Sequence, residues 1–123
     1  MRKKILIIDD DATVRYTLRR ILLSAGYAVL DAPNGKKGVQ LFQLEPADLV
    51  ITDIIMPEQE GIETIIELKS REPQTRIIAI SGGGRTGARD LLHMAERLGA
   101  DAVLHKPFDT AELIKAVKEK LAA

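Results

Sequence analysis

Five short aliphatic runs recur along the chain, each separated from the next by a segment whose apolar residues fall three and four apart. The runs are KKILIID (residues 3–9), YAVLDA (27–32), DLVITD (48–53), RIIAIS (76–81) and the weaker DAVLHK (101–106). They are rich in β-branched residues and continuous, not alternating, the pattern of strands covered on both faces. The intervening segments read as helices. Val14, Leu18 and Leu22 precede a glycine stop at Gly26, and Val39 and Phe42 follow an opening at Pro33 and Asn34. Ile62, Ile65, Ile66 and Lys69 run up to Pro73, and Ala88, Leu91, Leu92, Ala95 and Leu98 run up to Gly99. Leu113, Val117 and Leu121 follow the capping-box pair Asp109 and Glu112.

Strict alternation of strand and helix predicts an α/β domain: a doubly wound five-stranded parallel sheet in a (βα)5 three-layer sandwich, because parallel neighbours need crossover connections. Right-handed crossovers leave 2-1-3-4-5 as the natural strand order. At 123 residues the chain has the size of one domain, and no linker-like or low-complexity segment divides it. Residues 1–123 are therefore expected to form a single domain with no output domain attached.

Global charge excludes several partners. Eighteen basic and eighteen acidic side chains cancel, so nothing draws the whole surface to nucleic acid or to an anionic membrane. Cysteine is absent, which removes disulfides, thiolate chemistry and cysteine-based zinc sites. The basic start MRKK leads into an apolar run too short for a signal peptide or a membrane span, so a cytoplasmic location is expected.

Specificity must come from a local site, and the topology says where. All five strands end on one edge, and ligands of such sheets bind at the switch point between the first and third strands. The first strand ends in Asp9, Asp10 and Asp11, the third in Asp53, the fourth in Ser81 and the fifth in Lys106. Clustered carboxylates repel and raise one another's pKa unless a cation offsets them. Asp9, Asp10 and Asp53 against Lys106 leave an excess of two negative charges, which one divalent cation neutralises. All-oxygen donors suit a hard ion, and Mg2+ is the usual one at phosphate-handling sites. Aspartate is itself a nucleophile toward phosphorus, forming an acyl phosphate.

In the combination IIDDD, ITDIIMP followed by Gly61, IAISG and HKPF, the chain resembles the CheY-like receiver domain of two-component response regulators over essentially its whole length. The resemblance implies a flavodoxin-like fold and a phosphorelay switch, not a metabolic enzyme. It implies Asp53 as phosphoacceptor, Asp9 and Asp10 as the acidic pair with Asp10 the direct metal ligand, and Ile55 as a metal ligand through its backbone carbonyl. Ser81 then corresponds to the switch hydroxyl and Lys106 to the family's lysine, with a cis bond to Pro107. The implied cofactor is Mg2+. The implied partners are a sensor histidine kinase or histidine phosphotransfer protein as donor and a downstream protein target, with no direct nucleic acid or membrane contact. The target would read the face made by the fourth helix, fifth strand and fifth helix.

Two positions depart from the family pattern. The aromatic switch position is Val103, so no aromatic flip can operate there, and Ser81 is followed by Gly82, Gly83 and Gly84, a loop expected to order on phosphorylation. Asp11 is expected to cap the first helix. That helix carries more apolar residues (Val14, Tyr16, Leu18, Ile21, Leu22 and Leu23) than one buried stripe needs, which suggests a docking surface for the donor. Rival readings are weaker. An aspartyl phosphatase needs an acid two residues after its nucleophile, where Ile55 stands. A flavin or nucleotide carrier needs an anion-binding loop where DDDAT stands. The remaining alternative is a pseudo-receiver that binds partners without phosphate.

Overall fold

The computed structural model describes residues 2–54, 60–82 and 88–122. Ile55, Met56, Pro57, Gly83, Gly84 and Arg85 lie outside the described residues, as do the side chains of Ala88, Arg89, Leu91 and Leu92. The elements alternate throughout: β1 (Lys4–Ile8), α1 (Ala12–Ser24), β2 (Ala28–Ala32), α2 (Gly35–Leu44), β3 (Leu49–Asp53), α3 (Glu60–Arg71), β4 (Arg76–Gly82), α4 (Ala88–Leu98), β5 (Ala102–Lys106) and α5 (Thr110–Ala122). The strands form one parallel sheet in the order β2-β1-β3-β4-β5, as the crossover argument predicts. Ile5 pairs with Val29 on one side and Leu49 on the other, and Asp53 pairs with Ile80.

Continuous aliphatic strands are explained by two cores, one on each face of the sheet. Ile5, Ile7, Leu49, Ile51, Ile78 and Ile80 pack against Leu18 and Leu22 of α1 and Leu113 and Val117 of α5. Leu6, Ile8, Val50 and Ile77 pack with Phe42 of α2, Ile65 and Leu68 of α3 and Ala95 of α4. Ile5, Leu6, Ile7 and Ile8 are all fully buried, so β1 alone withdraws four large side chains from water at about 1.5–3 kcal/mol each. The edge strand β5 is only half-buried, which is why its run is the weakest in the sequence.

Helix ends follow local chemistry. Asp11 caps α1, its carboxylate accepting from Thr13 N and Val14 N, and Gly26 ends it with φ +97°. Asn34 accepts from Lys37 N at the start of α2, and Asp109 Oδ1 accepts from Glu112 N at 2.7 Å at the start of α5. Gly99 takes φ +123° after α4, a conformation open to glycine without strain.

On α3 the buried face differs from the expected one. Leu68 is fully buried while Ile66 is 47% exposed. At about 100° per residue the stripe through Ile62 and Ile65 continues to Leu68, and position 66 turns away from it. Lys69 falls within that stripe, between Ile62 and Ile65 around the helix, and donates through Nζ to Thr75 O at 2.7 Å and Asp101 Oδ2 at 3.3 Å. Asp101 in turn accepts from Ile77 N at 2.8 Å, so this ion pair fastens the start of β4, at the opposite edge from the acidic residues. Among the described residues no helix is long and apolar enough to cross a membrane.

Candidate functional site

At the C-terminal edge of the sheet, β1 gives way to three consecutive aspartates with three different environments. Asp9 is 1% exposed and held at every polar atom. Its N–H donates to Ala32 O at 3.2 Å, its carbonyl accepts from Arg15 Nη1 at 2.7 Å, and Oδ1 accepts from Asp11 N at 2.9 Å. Oδ2 accepts from Lys106 Nζ at 3.3 Å. Asp10 is exposed, and Asp11 turns back to cap α1, as expected of it.

Asp53 is the last residue of β3 and is 5% exposed. Thr52 Oγ1 donates to its carbonyl at 3.1 Å, and Ile54 N donates to Ile80 O at 3.0 Å, so the β3–β4 ladder holds the backbone on both sides of Asp53. Lys106 Nζ reaches Asp53 Oδ2 at 3.1 Å. One carboxylate oxygen from each of Asp9, Asp10 and Asp53 lies within 4.8 Å of the other two. The structure thus gathers the three acids that the strand-end argument placed together, around one ammonium.

The electrostatics follow from burial and crowding. Burial, with the Asp53 charge behind it, pushes the Asp9 carboxyl above its ordinary range; the Asp11 N–H and Lys106 pull it back only in part. Burial works against the Lys106 charge, yet Asp53 and Asp9 together outweigh it and hold the ammonium above the ordinary lysine range. An all-carboxylate set with one buried member held above its usual pKa lacks positive charge. A hard divalent cation with oxygen preference fits that donor set.

Ser81 is fully buried on β4, one residue beyond Ile80, the register partner of Asp53. It pairs with His105, and Gly82 pairs with Lys106, so β4 carries the hydroxyl between the strand of Asp53 and the strand of Lys106. The Lys106–Pro107 bond is cis, as the resemblance implied. Ile55, expected to contribute its carbonyl, lies outside the described residues. Val103 is half-buried against the α2–α4 core. Sequence reasoning passed over Arg15 and Thr52, whose roles are hydrogen bonds to backbone carbonyls and leave no mark in a motif.

An open parallel α/β domain with an acidic crevice at its switch point, closed by a lysine from the last strand, belongs among the doubly wound proteins, whose ligands bind at that edge of the sheet. Within that class, the chain is a member of the response regulator receiver domain family, whose profile matches residues 5–118. It is 34% identical to chemotaxis protein CheY of Thermotoga maritima, over 97% of this chain and 98% of that protein. It is 33% identical to sporulation initiation phosphotransferase F of Bacillus subtilis, over 98% of this chain and 95% of that protein. Among solved structures, a CheY-like receiver domain protein from Methanospirillum hungatei superposes with a TM-score of 0.91 at 30% identity, covering 99% of this chain and 95% of that one.

Proposed function

We propose that the domain is a phosphorylation switch in which Asp53 accepts a phosphoryl group from a phosphohistidine of a sensor histidine kinase or histidine phosphotransfer protein. The observation that carries this reading is the pairing of Asp53 with Lys106 inside an acidic cluster at the end of a central strand. Membership of the receiver family supports it.

An Asp53 carboxylate oxygen attacks phosphorus; the P–O bond forms as the P–N bond to the donor imidazole breaks, its electron pair staying on nitrogen. Lys106, already hydrogen-bonded to Asp53 Oδ2, transfers a donor to a phosphoryl oxygen as the carboxylate becomes an acyl phosphate. The Ser81 hydroxyl donates to another. Asp10, Asp53 and the Ile55 carbonyl would hold Mg2+, with Asp9 beside them. Both Asp9 carboxylate oxygens already accept hydrogen bonds while Asp10 faces solvent, which favours Asp10 as the direct ligand. When bound, Mg2+ supplies screening of the repulsion between Asp53 and the incoming anionic group.

The donor's docking surface is assigned to α1 and the start of α5. Tyr16 is 61% exposed, and Thr17 and Ile21 line clefts of about 480 Å³ on either side of them. One of those clefts reaches Lys106, Pro107 and Phe108 beside the site. Output is assigned to the α4–β5–α5 face, through a protein target and in the cytoplasm.

The test is intact mass after incubation with Mg2+ and acetyl phosphate, or with a candidate histidine kinase. Gain of one phosphoryl group that disappears in Asp53→Asn and without Mg2+ supports the reading. No gain with either donor replaces it with a phosphate-independent binding module.

A further inference from the structure

Arg15 stands outside every motif that carries the family resemblance, yet its guanidinium is committed to the acidic loop. Nη1 donates to the Asp9 carbonyl at 2.7 Å, the shortest contact that Asp9 makes in the structure among those described above. On its other side the guanidinium meets Asp31 at the end of β2, with Nε 3.9 Å from Oδ1. Asp31 is itself held by Arg19, whose Nη1 donates to Oδ2 at 3.0 Å.

The Asp9 carbonyl belongs to the peptide plane that joins Asp9 to Asp10. Because that plane is rigid, fixing the oxygen fixes the direction in which the chain leaves toward Asp10. The Asp10 side chain is exposed, so the orientation of its backbone is what aims its carboxylate. We propose that Arg15 is a positioning residue: braced by Asp31, it holds the Asp9–Asp10 peptide so that the Asp10 carboxylate is aimed at the crevice before any cation arrives. This rests on the reading of the acidic cluster as a divalent-cation site. The planar, multi-donor guanidinium suits a residue that must serve a carbonyl and a carboxylate at once, which a lysine ammonium on a flexible stem does poorly.

Charge and position make opposite demands, which makes the inference testable. As a mere positive charge near three carboxylates, Arg15 would oppose cation binding, and its removal would tighten it. As a positioning residue, its removal loosens binding, by about tenfold or more if it behaves as the outer partners of metal ligands generally do. The experiment is a titration of the full chain with Mn2+, free Mn2+ being read by electron paramagnetic resonance, for wild type, Arg15→Met, Arg15→Lys and Arg19→Met. Both Arg15 variants are expected to bind more weakly, Met more so than Lys. Arg19→Met, which removes the same charge but leaves both the Asp9 carbonyl and the Asp31 Oδ1 partner of Arg15 in place, should stay close to wild type. In metal-free protein the Asp11 amide, which donates to Asp9 Oδ1, should exchange faster in both Arg15 variants and not in Arg19→Met. Arg15 variants that bind Mn2+ as tightly as wild type, or an equal loss in Arg19→Met, overturn the positioning role and leave the site reading intact. A wild-type chain that binds no Mn2+ overturns both.

Discussion

Lys106 Nζ donates to Asp53 Oδ2 at 3.1 Å, reaching from β5 across the end of β4 to β3. The same ammonium serves Asp9 at 3.3 Å, so one cation offsets two buried carboxylates. Lys106→Ala should therefore lower metal-free stability by about 1.5–3 kcal/mol, the range for hydrogen bonds to charged groups. Thermal melting in chelator measures this. Phosphoryl acceptance should survive in part, because the carboxylate proposed as nucleophile is untouched, while the response of target binding to phosphorylation is lost. Wild-type behaviour in both would remove Lys106 from the mechanism.

Asp53→Asn should abolish phosphorylation and keep the fold. It also relieves the repulsion that Asp53 exerts on Asp9, so the melting temperature in metal-free buffer should equal or exceed that of wild type. Circular dichroism melts decide this, and a large drop would mean that the Asp53 carboxylate is a structural requirement of β3.

The raised pKa of Asp9 sets the direction of a pH effect. The folded state holds the Asp9 proton more tightly than the unfolded chain does. The benefit is complete below the ordinary carboxylate pKa of about 3.9 and is lost as pH rises through the higher folded value. Lys106, also raised, keeps its contribution through neutrality and loses it only above the ordinary lysine range. In chelator, Asp9→Asn should therefore gain on wild type as pH rises from about 4 through the raised folded value of Asp9. A difference between the two proteins that stays constant over that interval would contradict the assigned cause.

What the sequence disclosed and what it withheld divide along a physical line. Strand order, the strand-end acids and the helix caps at Asp11, Asn34 and Asp109 were legible because each depends on residue type at fixed spacing. One member of the α3 stripe was misread, Ile66 for Leu68, since the two are equally apolar and only the packing direction distinguishes them. Arg15 was invisible for a different reason. Its partner is a backbone carbonyl, which every residue offers, and its counter-ion Asp31 lies on another element. The Lys69–Asp101 pair, 32 residues apart, was hidden in the same way.

Gly61 brings the start of α3 against the end of β3, and its role is testable by a single methyl group. A Cβ at Gly61 would run into Ile54 Cα and the Asp53 carbonyl, backbone atoms that the β3–β4 ladder holds in place. At Gly38 an added Cβ would meet Cδ1 and Cγ1 of the Ile8 side chain, not backbone. Alanine gains about 1 kcal/mol in helix propensity over glycine, and both glycines lie within helices, so that gain is common to the pair. The difference between them therefore reports the clash. Gly61→Ala should cost about 1–3 kcal/mol as an overpacked site does, and it should slow phosphorylation by acetyl phosphate because the displaced atoms carry Asp53. Gly38→Ala should cost less and slow phosphorylation less, since the atoms it meets belong to a side chain and not to the backbone that carries Asp53. Equal losses of melting temperature and of phosphorylation rate in the two variants would show that the approach of α3 to Asp53 is looser than these contacts require.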